Sequence, residues 1–139
     1  MSELTSSIHK HIGVAIITNQ QGKILIDRRK AEGEMGGLWE FPGGKIEANE
    51  TVEACIKREI KEELDIEINV GDRLTSLTHT YKTFKVTLHV HDCQHLSGKP
   101  QPLESTEIHW VEPSHMDQYN FPQANLKIIN LLQQRGIKK

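Results

Sequence analysis

The sequence predicts an α/β fold of the α+β type, in which a mixed β-sheet is covered by helices. Three observations predict it: short apolar segments typical of strands, two segments with the spacing of amphipathic helices, and the mixed order of both along the chain. A length of 139 residues suits one domain with one hydrophobic core. Because the sequence contains neither a linker nor an internal repeat, residues 1–139 are expected to form a single domain.

The strands are predicted from short apolar segments bounded by turn residues. Five strands are expected, at residues 8–18, 23–27, 74–81, 84–93 and 108–111. In the fourth, Val86, Leu88 and Val90 alternate with polar residues, which is typical of a strand with one buried face. Residues 31–44 contain five glycines and are expected to form a structured loop, because the large apolar residues within them require burial.

Two helices are predicted from apolar residues that recur every three to four positions. The first is expected at residues 52–64, with Thr51 as its N-cap. Its buried stripe is expected to consist of Val52, Ile56, Ile60 and Leu64, with Cys55 packed beside them. The second is expected at residues 126–134, with Gly136 just past its end.

Composition and charge exclude several classes of protein. The 17 Lys and Arg against 19 Asp and Glu give a net charge of -2, whereas domains that hold long nucleic acid are usually strongly basic. The first ten residues lack the apolar core of a signal peptide, and the longest apolar segments are too short to span a bilayer. Two cysteines do not make a disulfide framework. We therefore expect a monomeric cytoplasmic protein that binds a small molecule and neither membrane nor long nucleic acid.

Three glutamates of the first predicted helix share one of its faces. Glu59, Glu62 and Glu63 have the spacing i, i+3 and i+4. Carboxylates clustered in this way repel one another, and a hard cation with oxygen ligands removes that repulsion. Taken alone, the spacing is more typical of a solvated helix face, so the neighbouring residues decide between the two interpretations.

The neighbouring residues favour a site for metal and phosphate. Glu50 precedes the helix and can turn back onto Arg58, and a bidentate contact between them would fix the loop against the helix. Gly43 and Gly44 allow the backbone to approach a metal ion or a phosphate closely.

The complete spacing resembles the Nudix box. It runs Gly44, five residues, Glu50, seven residues, Arg58-Glu59-Ile60, one residue, Glu62-Glu63, one residue, Asp65-Ile66, and it matches eight of nine defined positions. The departure is Asp65, where the family usually has a glycine that ends the helix. Because Asp tolerates the left-handed conformation better than most residues, we expect a small cost in stability and no loss of chemistry.

Further segments resemble the MutT-type subgroup of this family. They are Arg28-Arg29, the loop from Trp39 to Glu47, and the segment from Phe121 to Asn125. The resemblance implies a Nudix-type α/β/α sandwich with a mixed sheet. It also implies hydrolysis of an oxidised guanine nucleotide, 8-oxo-dGTP, to the monophosphate and pyrophosphate. The implied cofactor is Mg²⁺, for which Mn²⁺ is a possible substitute.

The resemblance also assigns roles to individual residues. Glu59 and Glu63 match the main metal ligands, Glu62 a further carboxylate near the metal, and Gly43 a ligand through its carbonyl. Glu104 is similar to a loop glutamate that joins the site, with Glu107 as the alternative. Arg58 and Glu50 complete the catalytic group.

Four residues are expected to contact the substrate on the same basis. Arg29 matches an arginine that contacts the nucleotide, and Phe41 and Tyr81 match positions that line the base pocket. At Thr83 the subgroup has an acidic residue, which puts base contacts there in doubt. Asn125 is expected to recognise the oxidised base, and its alternative role is to cap the last helix.

Two other functions remain open at this point. One is a pyrophosphohydrolase for another nucleotide, such as CTP or dCTP, because the box handles phosphates and metal rather than the base. The other is a module that binds oxidised guanine without hydrolysis, although such modules typically lack the full set of box glutamates. His89 and His91 share a strand face, and an exposed polar face is favoured over a metal pair because no third ligand has suitable spacing.

Overall fold

A computed structural model describes residues 8–33 and 35–137. The strands are β1 (His9–Thr18), β2 (Ile24–Arg28), β3 (Trp39–Glu40), β4 (Gly43–Lys45), β5 (Glu67–Thr80), β6 (Lys85–Ser97) and β7 (Glu107–Val111). The helices are α1 (Val52–Leu64) and α2 (Leu126–Ile137), and 3₁₀ turns lie at Pro113–Gln118 and Gln123–Asn125. Among the described residues, no helix is long and apolar enough to cross a membrane.

The seven strands form one mixed sheet. Its main path is β3-β2-β1-β6-β5, with β4 paired to β1 and β7 paired to β2. β1 runs parallel to β6 and antiparallel to β2 and β4. The predicted mixed sheet is therefore confirmed, and β1 lies at its centre because it pairs with three strands.

The two helices cover opposite faces of the sheet, as an α/β/α sandwich requires. Val14 and Ile16 of β1 pack with α2 in one cluster of buried residues. Ala15 and Ile17 point the other way and pack with the α1 stripe. Because successive side chains of β1 point to opposite faces of the sheet, this strand contributes to two hydrophobic cores, one on each face.

α1 has the predicted bounds and both predicted ends. The Thr51 hydroxyl accepts a hydrogen bond from the Ala54 amide, which satisfies one N–H of the first turn. Asp65 ends the helix in the left-handed region, at φ 57° and ψ 43°, and its amide donates to the Lys61 carbonyl. The expectation that aspartate takes the place of the usual glycine here is confirmed, and Cys55 is fully buried as predicted.

The structure corrects several predicted boundaries. β5 begins at Glu67 rather than at residue 74, because Ile68 and Val70 bury one face of the strand against α1. β6 continues to Ser97, and the glycine-rich loop contains β3 and β4. α2 passes through Gly136, so this glycine does not lie beyond the helix.

The predicted exposed histidine face is wrong for His91. This side chain is buried, and its Nδ1 donates to the Gly71 carbonyl at 2.9 Å. The register of β5 against β6 shifts between Val70 and Arg73, and Gly71 lies within that irregular segment. His89 is half-buried and its Nε2 lies 3.0 Å from Nδ1 of His11.

Candidate active site

A cleft of about 450 Å³ gathers residues from β1, β2, β4, α1 and β6 and from the loops before β3, β7 and α2. Its volume is typical of a small-molecule site. The lining residues are Ile12, Val14, Asp27, Arg29, Lys30, Glu32, Glu40, Phe41, Gly43, Gly44, Glu63, Leu88, Glu104 and Asn125. The aliphatic members of this lining come from β1 and β6.

Arg58 connects the loop before α1 to the helix. Its Nε and Nη2 donate to the two carboxylate oxygens of Glu50 at 2.7 and 3.0 Å, which is the predicted bidentate contact. Nη1 donates to Glu59 at 2.9 Å and Nη2 to the Lys45 carbonyl at 3.2 Å. Arg58, through its hydrogen bond, lowers the pKa of Glu50 to about 2. Arg58 therefore holds the loop, the helix and Glu59 in one arrangement.

The Gly43-Gly44 backbone lies close to Glu59 and to β1. A β-carbon at Gly44 would collide with the Glu59 carboxylate, and one at Gly43 would collide with the Gly13 carbonyl oxygen. The amide of Ala15 donates to the carbonyl of Pro42 at 2.9 Å. Because hydrogen-bonded and non-hydrogen-bonded pairs alternate in antiparallel strands, the Gly43 carbonyl points away from β1. Only glycine at both positions allows this approach.

Glu63 lies in the cleft wall one helical turn beyond Glu59. Its Oε1 is buried without a hydrogen-bond partner among the described residues. Burial, a hydrogen bond with Glu59 and the nearby Asp27 and Glu40 carboxylates raise the pKa of Glu63. A carboxylate in these surroundings is costly unless a cation compensates it.

Asp27, Glu40 and Arg29 extend the charged wall onto β2 and β3. Burial and the Glu40 carboxylate raise the pKa of Asp27, and burial also raises the pKa of Glu40. Nη1 of Arg29 donates to Oε1 of Glu40 at 2.9 Å. Arg29 thus lines the cleft as the resemblance implies, whereas Arg28 points away to Glu107 at 3.2 Å and to the Gly37 carbonyl at 2.9 Å.

The remaining predicted acidic residues differ in their placement. Glu104 is exposed and lines the cleft, whereas the alternative Glu107 is engaged by Arg28 and His109, each at 3.2 Å. This placement favours Glu104 as the loop carboxylate. Glu62 is 53% exposed and lies 3.3 Å from Nη1 of Arg58, at the outer margin of the group.

The other end of the cleft is apolar and ends at Asn125. Phe41 is buried and its ring lies 5.2 Å from that of Phe121, at a tilt of 32°. Asn125 lies in the 3₁₀ turn before α2, and its backbone amide donates to the Pro122 carbonyl. Asn125 lines the cleft. The amide is therefore placed to contact a ligand.

Tyr81 does not join these residues. It lies where β5 turns into β6, with its ring stacked 4.8 Å from that of Phe84 and in a T-shaped contact, at 4.5 Å, with that of His79. The tight turn, in which the Tyr81 amide donates to the Phe84 carbonyl at 2.8 Å, directs it into this aromatic group. The expectation that Tyr81 lines the base pocket is thus not met, and Ile12, Val14 and Leu88 line this end of the cleft.

Sequence reasoning also missed Asp27, Lys30, Glu32 and Glu40. One signal was available for Asp27, because it follows the apolar Ile24-Leu25-Ile26 and continues the inward alternation of Leu25. The loop residues Lys30 and Glu32 carry no comparable pattern, since a loop has no period to assign their direction.

The donor set suits a hard divalent cation. Among the described residues, no three His, Cys, Asp or Glu side chains form a ready-made metal cluster. The available donors are the orphaned Glu63 oxygen, the Glu59 carboxylate packed on Gly44, and the Gly43 carbonyl. Mg²⁺ typically takes one or two carboxylates and completes its shell with water and phosphate oxygens, so these residues fit it.

Comparison with known proteins matches most of the chain, and the matches agree with the site described above. Residues 13–131 match a family model described as the NUDIX domain. The chain is 34% identical over 116 residues to the CTP pyrophosphohydrolase of Escherichia coli (strain K12), covering 84% of this chain and 86% of that protein. It is 33% identical over 118 residues to the 8-oxo-dGTP diphosphatase of the same strain, covering 85% of this chain and 92% of that protein.

A solved structure supports the fold. The crystal structure of a MutT protein from Methanosarcina mazei Go1 superposes with a TM-score of 0.83, at 23% identity, and covers 93% of this chain and 96% of that one. At this identity the likeness supports the fold and not the substrate.

Proposed function

Because the chain belongs to the Nudix family of hydrolases, we propose that it hydrolyses 8-oxo-dGTP to 8-oxo-dGMP and pyrophosphate with Mg²⁺ as its cofactor. The observation that carries this proposal is that one cleft joins Glu63 and the Gly43-Gly44 backbone to Phe41 and Asn125. The role of such a reaction is to remove an oxidised nucleotide before it enters DNA. Relatives named 8-oxo-dGTP diphosphatase, at 32% and 33% identity, support the choice of substrate.

The phosphate end consists of Gly43 and Glu63, which line the cleft, together with the hydrogen-bonded group of Glu50, Arg58 and Glu59, and it would hold the cation and the triphosphate. Glu59, Glu63 and the Gly43 carbonyl are the ligands in this proposal. Bound Mg²⁺, or Mn²⁺ in its place, would neutralise phosphate charge and make a bound water more acidic. Arg58 and Glu50 keep Glu59 in position through the contacts at 2.7 to 3.0 Å.

The reaction is substitution by water at an inner phosphorus. The bond from that phosphorus to its bridging oxygen breaks, and pyrophosphate leaves. Arg29 and Lys30 line the cleft and provide positive charge for the phosphates, while Glu62 and Glu104 add carboxylates at the margin. A carboxylate of this group takes the proton of the attacking water.

The base end of the cleft, formed by Ile12, Phe41, Leu88, Phe121 and Asn125, would hold the oxidised guanine. Ordinary guanine presents two acceptors, N7 and O6, on one edge. In 8-oxoguanine N7 carries a hydrogen, so this edge has one donor beside one acceptor. The Asn125 amide offers one acceptor and two donors, and it can pair with both groups at once.

A second candidate is a pyrophosphohydrolase for CTP. It is favoured by the relative of that name, which is 34% identical over 116 residues. A pyrimidine lacks the N7–H and O6 edge, so a preference of Asn125 for 8-oxoguanine over guanine would play no part in its recognition. The two candidates therefore differ in the role that they give to one side chain.

Turnover against a panel of nucleotides tests the proposal. We expect kcat/KM with Mg²⁺ to be highest for 8-oxo-dGTP and at least about tenfold lower for dGTP, CTP and dCTP, because one mismatched buried hydrogen bond costs about 1–3 kcal/mol. Glu63→Gln serves as the inactive control. A higher kcat/KM for CTP or dCTP would favour the second candidate.

We further propose that the enzyme acts as a cytoplasmic monomer on free nucleotides. The cleft is of small-molecule size, and the net charge of -2 does not favour the binding of long nucleic acid.

A further inference from the structure

Asp27 is a carboxylate of the cleft that the box does not include. It lies on β2, is 5% exposed, and lines the cleft. Its Oδ1 is buried without a hydrogen-bond partner among the described residues. A carboxylate oxygen in this state is destabilising for the fold unless something outside the protein compensates it.

The neighbours of Asp27 do not supply that compensation. Glu40 is the partner of Asp27 in the pairing of β2 with β3, and burial and this second carboxylate raise the pKa of Asp27. Glu63 lies close enough for the Asp27 charge to act on it. The positive charge of Arg29 offsets the repulsion between these carboxylates only in part, and Nη1 of Arg29 donates a hydrogen bond to Glu40 at 2.9 Å.

The position itself would suit an apolar residue. Asp27 has the same direction along β2 as Leu25, which packs in the core beneath α1. An aliphatic side chain at position 27 could extend that core, and well-packed apolar groups are often at least as stable as buried charges. The carboxylate is therefore better explained by a ligand than by the fold.

We propose that Asp27 is an additional carboxylate of the divalent-cation site, contributed by β2 to the cleft that Glu63 lines from α1. The two orphaned oxygens, Oδ1 of Asp27 and Oε1 of Glu63, both belong to residues of the same cleft. Asp27 raises the affinity by its charge and by accepting hydrogen bonds from water around the cation, because Mg²⁺ keeps several of its waters. This inference rests on the proposed function in that the cation is the one used for hydrolysis.

A structural role makes a different prediction. If Asp27 only supports Glu40, it does so as a hydrogen-bond donor. Asparagine at position 27 keeps a donor of the same size and removes the charge. Asp27→Asn therefore preserves a structural role and removes a role toward a cation.

The test is Mn²⁺ binding to the full chain without nucleotide, measured by electron paramagnetic resonance of the unbound ion. We expect Asp27→Asn to weaken binding about tenfold, as is usual for groups that support metal ligands. The matched control is Asp72→Asn, the same change at an exposed position of β5 that does not line this cleft. In excess chelator, the melting temperature of Asp27→Asn should stay close to that of the wild type, because asparagine keeps the size of the buried side chain and can donate a hydrogen bond to Glu40, its neighbour on β3.

Binding of Mn²⁺ by Asp27→Asn with wild-type affinity would overturn the proposal, as would an equal loss in Asp72→Asn. Should Asp27→Asn fail to fold, Asp27→Ser takes its place, and failure of both variants to fold would assign Asp27 to the fold and overturn the proposal. Hydrolysis is measured separately on the wild type. A wild-type protein that binds Mn²⁺ through Asp27 but leaves 8-oxo-dGTP intact would overturn the proposed function alone.

Discussion

The two ends of the cleft are built in different ways. At the phosphate end, residues 43–63 supply every proposed ligand from one continuous segment, and Arg58 ties that segment together with bonds to Glu50, Glu59 and the Lys45 carbonyl. At the base end, the residues come from β1, from the loop between β3 and β4, from β6 and from the turn before α2. They are held by packing, such as that between Phe41 and Phe121.

This difference separates chemistry from selectivity. The phosphate end is organised by charged hydrogen bonds and contains Glu63, whose buried Oε1 has no hydrogen-bond partner among the described residues. The base end is apolar apart from Asn125, so the proposed recognition of the base edge depends on one amide. We therefore expect changes at the first end to reduce turnover for every substrate, and changes at the second end to alter the ranking of substrates.

The largest effect is expected from the box glutamates. Glu59→Gln and Glu63→Gln keep the size of the side chain and remove a charged ligand, so kcat should fall by at least about 10² for all substrates alike. Melting temperatures in excess chelator should hold or rise slightly for Glu59→Gln, because one of the like charges has been removed, and should hold at neutral pH for Glu63→Gln, because Glu63 retains its proton there. Glu53→Gln, at an exposed position in the first turn of α1, is the control. Near-normal turnover of Glu59→Gln at saturating Mg²⁺ would remove it from the principal ligands.

Arg58→Ala should have the next largest effect and should lower both activity and stability. Loss of the bidentate contact with Glu50 releases the loop from α1, and supporting residues of metal sites typically contribute 10- to 100-fold to activity. Stability should also fall, by an amount that is limited because the pair is partly exposed to solvent. Arg58→Lys keeps the positive charge but lacks the planar guanidinium that makes two hydrogen bonds to Glu50. Full activity of this variant would therefore contradict a geometric role for Arg58.

Substitutions of Asn125 test the base end. Their effect should be smaller, and it should appear in the preference for 8-oxo-dGTP over dGTP rather than in turnover itself. Asn125→Asp offers acceptors only and should repel O6 of the base, whereas Asn125→Ala removes both contacts. Each variant should reduce the kcat/KM ratio of 8-oxo-dGTP to dGTP by about tenfold or more. Because aspartate can still cap a helix, the melting temperature of Asn125→Asp should change little. An unchanged ratio in Asn125→Asp would assign recognition of the base to another group.

The smallest effect concerns the pH dependence of the metal-free protein. Burial and neighbouring carboxylates raise the pKa of Glu63, so the folded state retains a proton that the unfolded chain releases above about pH 4.3. The contribution of this proton to stability is then fully present below that pH and is lost as the pH rises toward the pKa of the folded state. The slope is at most about 1.4 kcal/mol per pH unit. Melting temperatures in chelator at pH 5, 7 and 9 should fall more steeply for the wild type than for Glu63→Gln. Equal slopes of melting temperature against pH in the two proteins would contradict this account of Glu63.

The same difference explains what the sequence could predict. The contact between Glu50 and Arg58, the cap at Thr51 and the left-handed Asp65 all follow from local spacing, and all are confirmed. Tyr81 was expected in the base pocket, but the turn between β5 and β6 packs it against Phe84. Asp27 was missed, because its partners Glu40 and Glu63 become neighbours only when the sheet and α1 are assembled. Long-range packing carries no periodic signal in one sequence.

The most direct test of the central claim is to identify the products formed from 8-oxo-dGTP by phosphorus NMR, with Mg²⁺ and with excess chelator. The account predicts 8-oxo-dGMP and pyrophosphate in equal amounts with Mg²⁺ and no reaction in chelator. Formation of orthophosphate and a nucleoside diphosphate would contradict substitution at an inner phosphorus. Activity that persists after complete chelation would contradict the assignment of Glu59 and Glu63 as ligands of an essential cation.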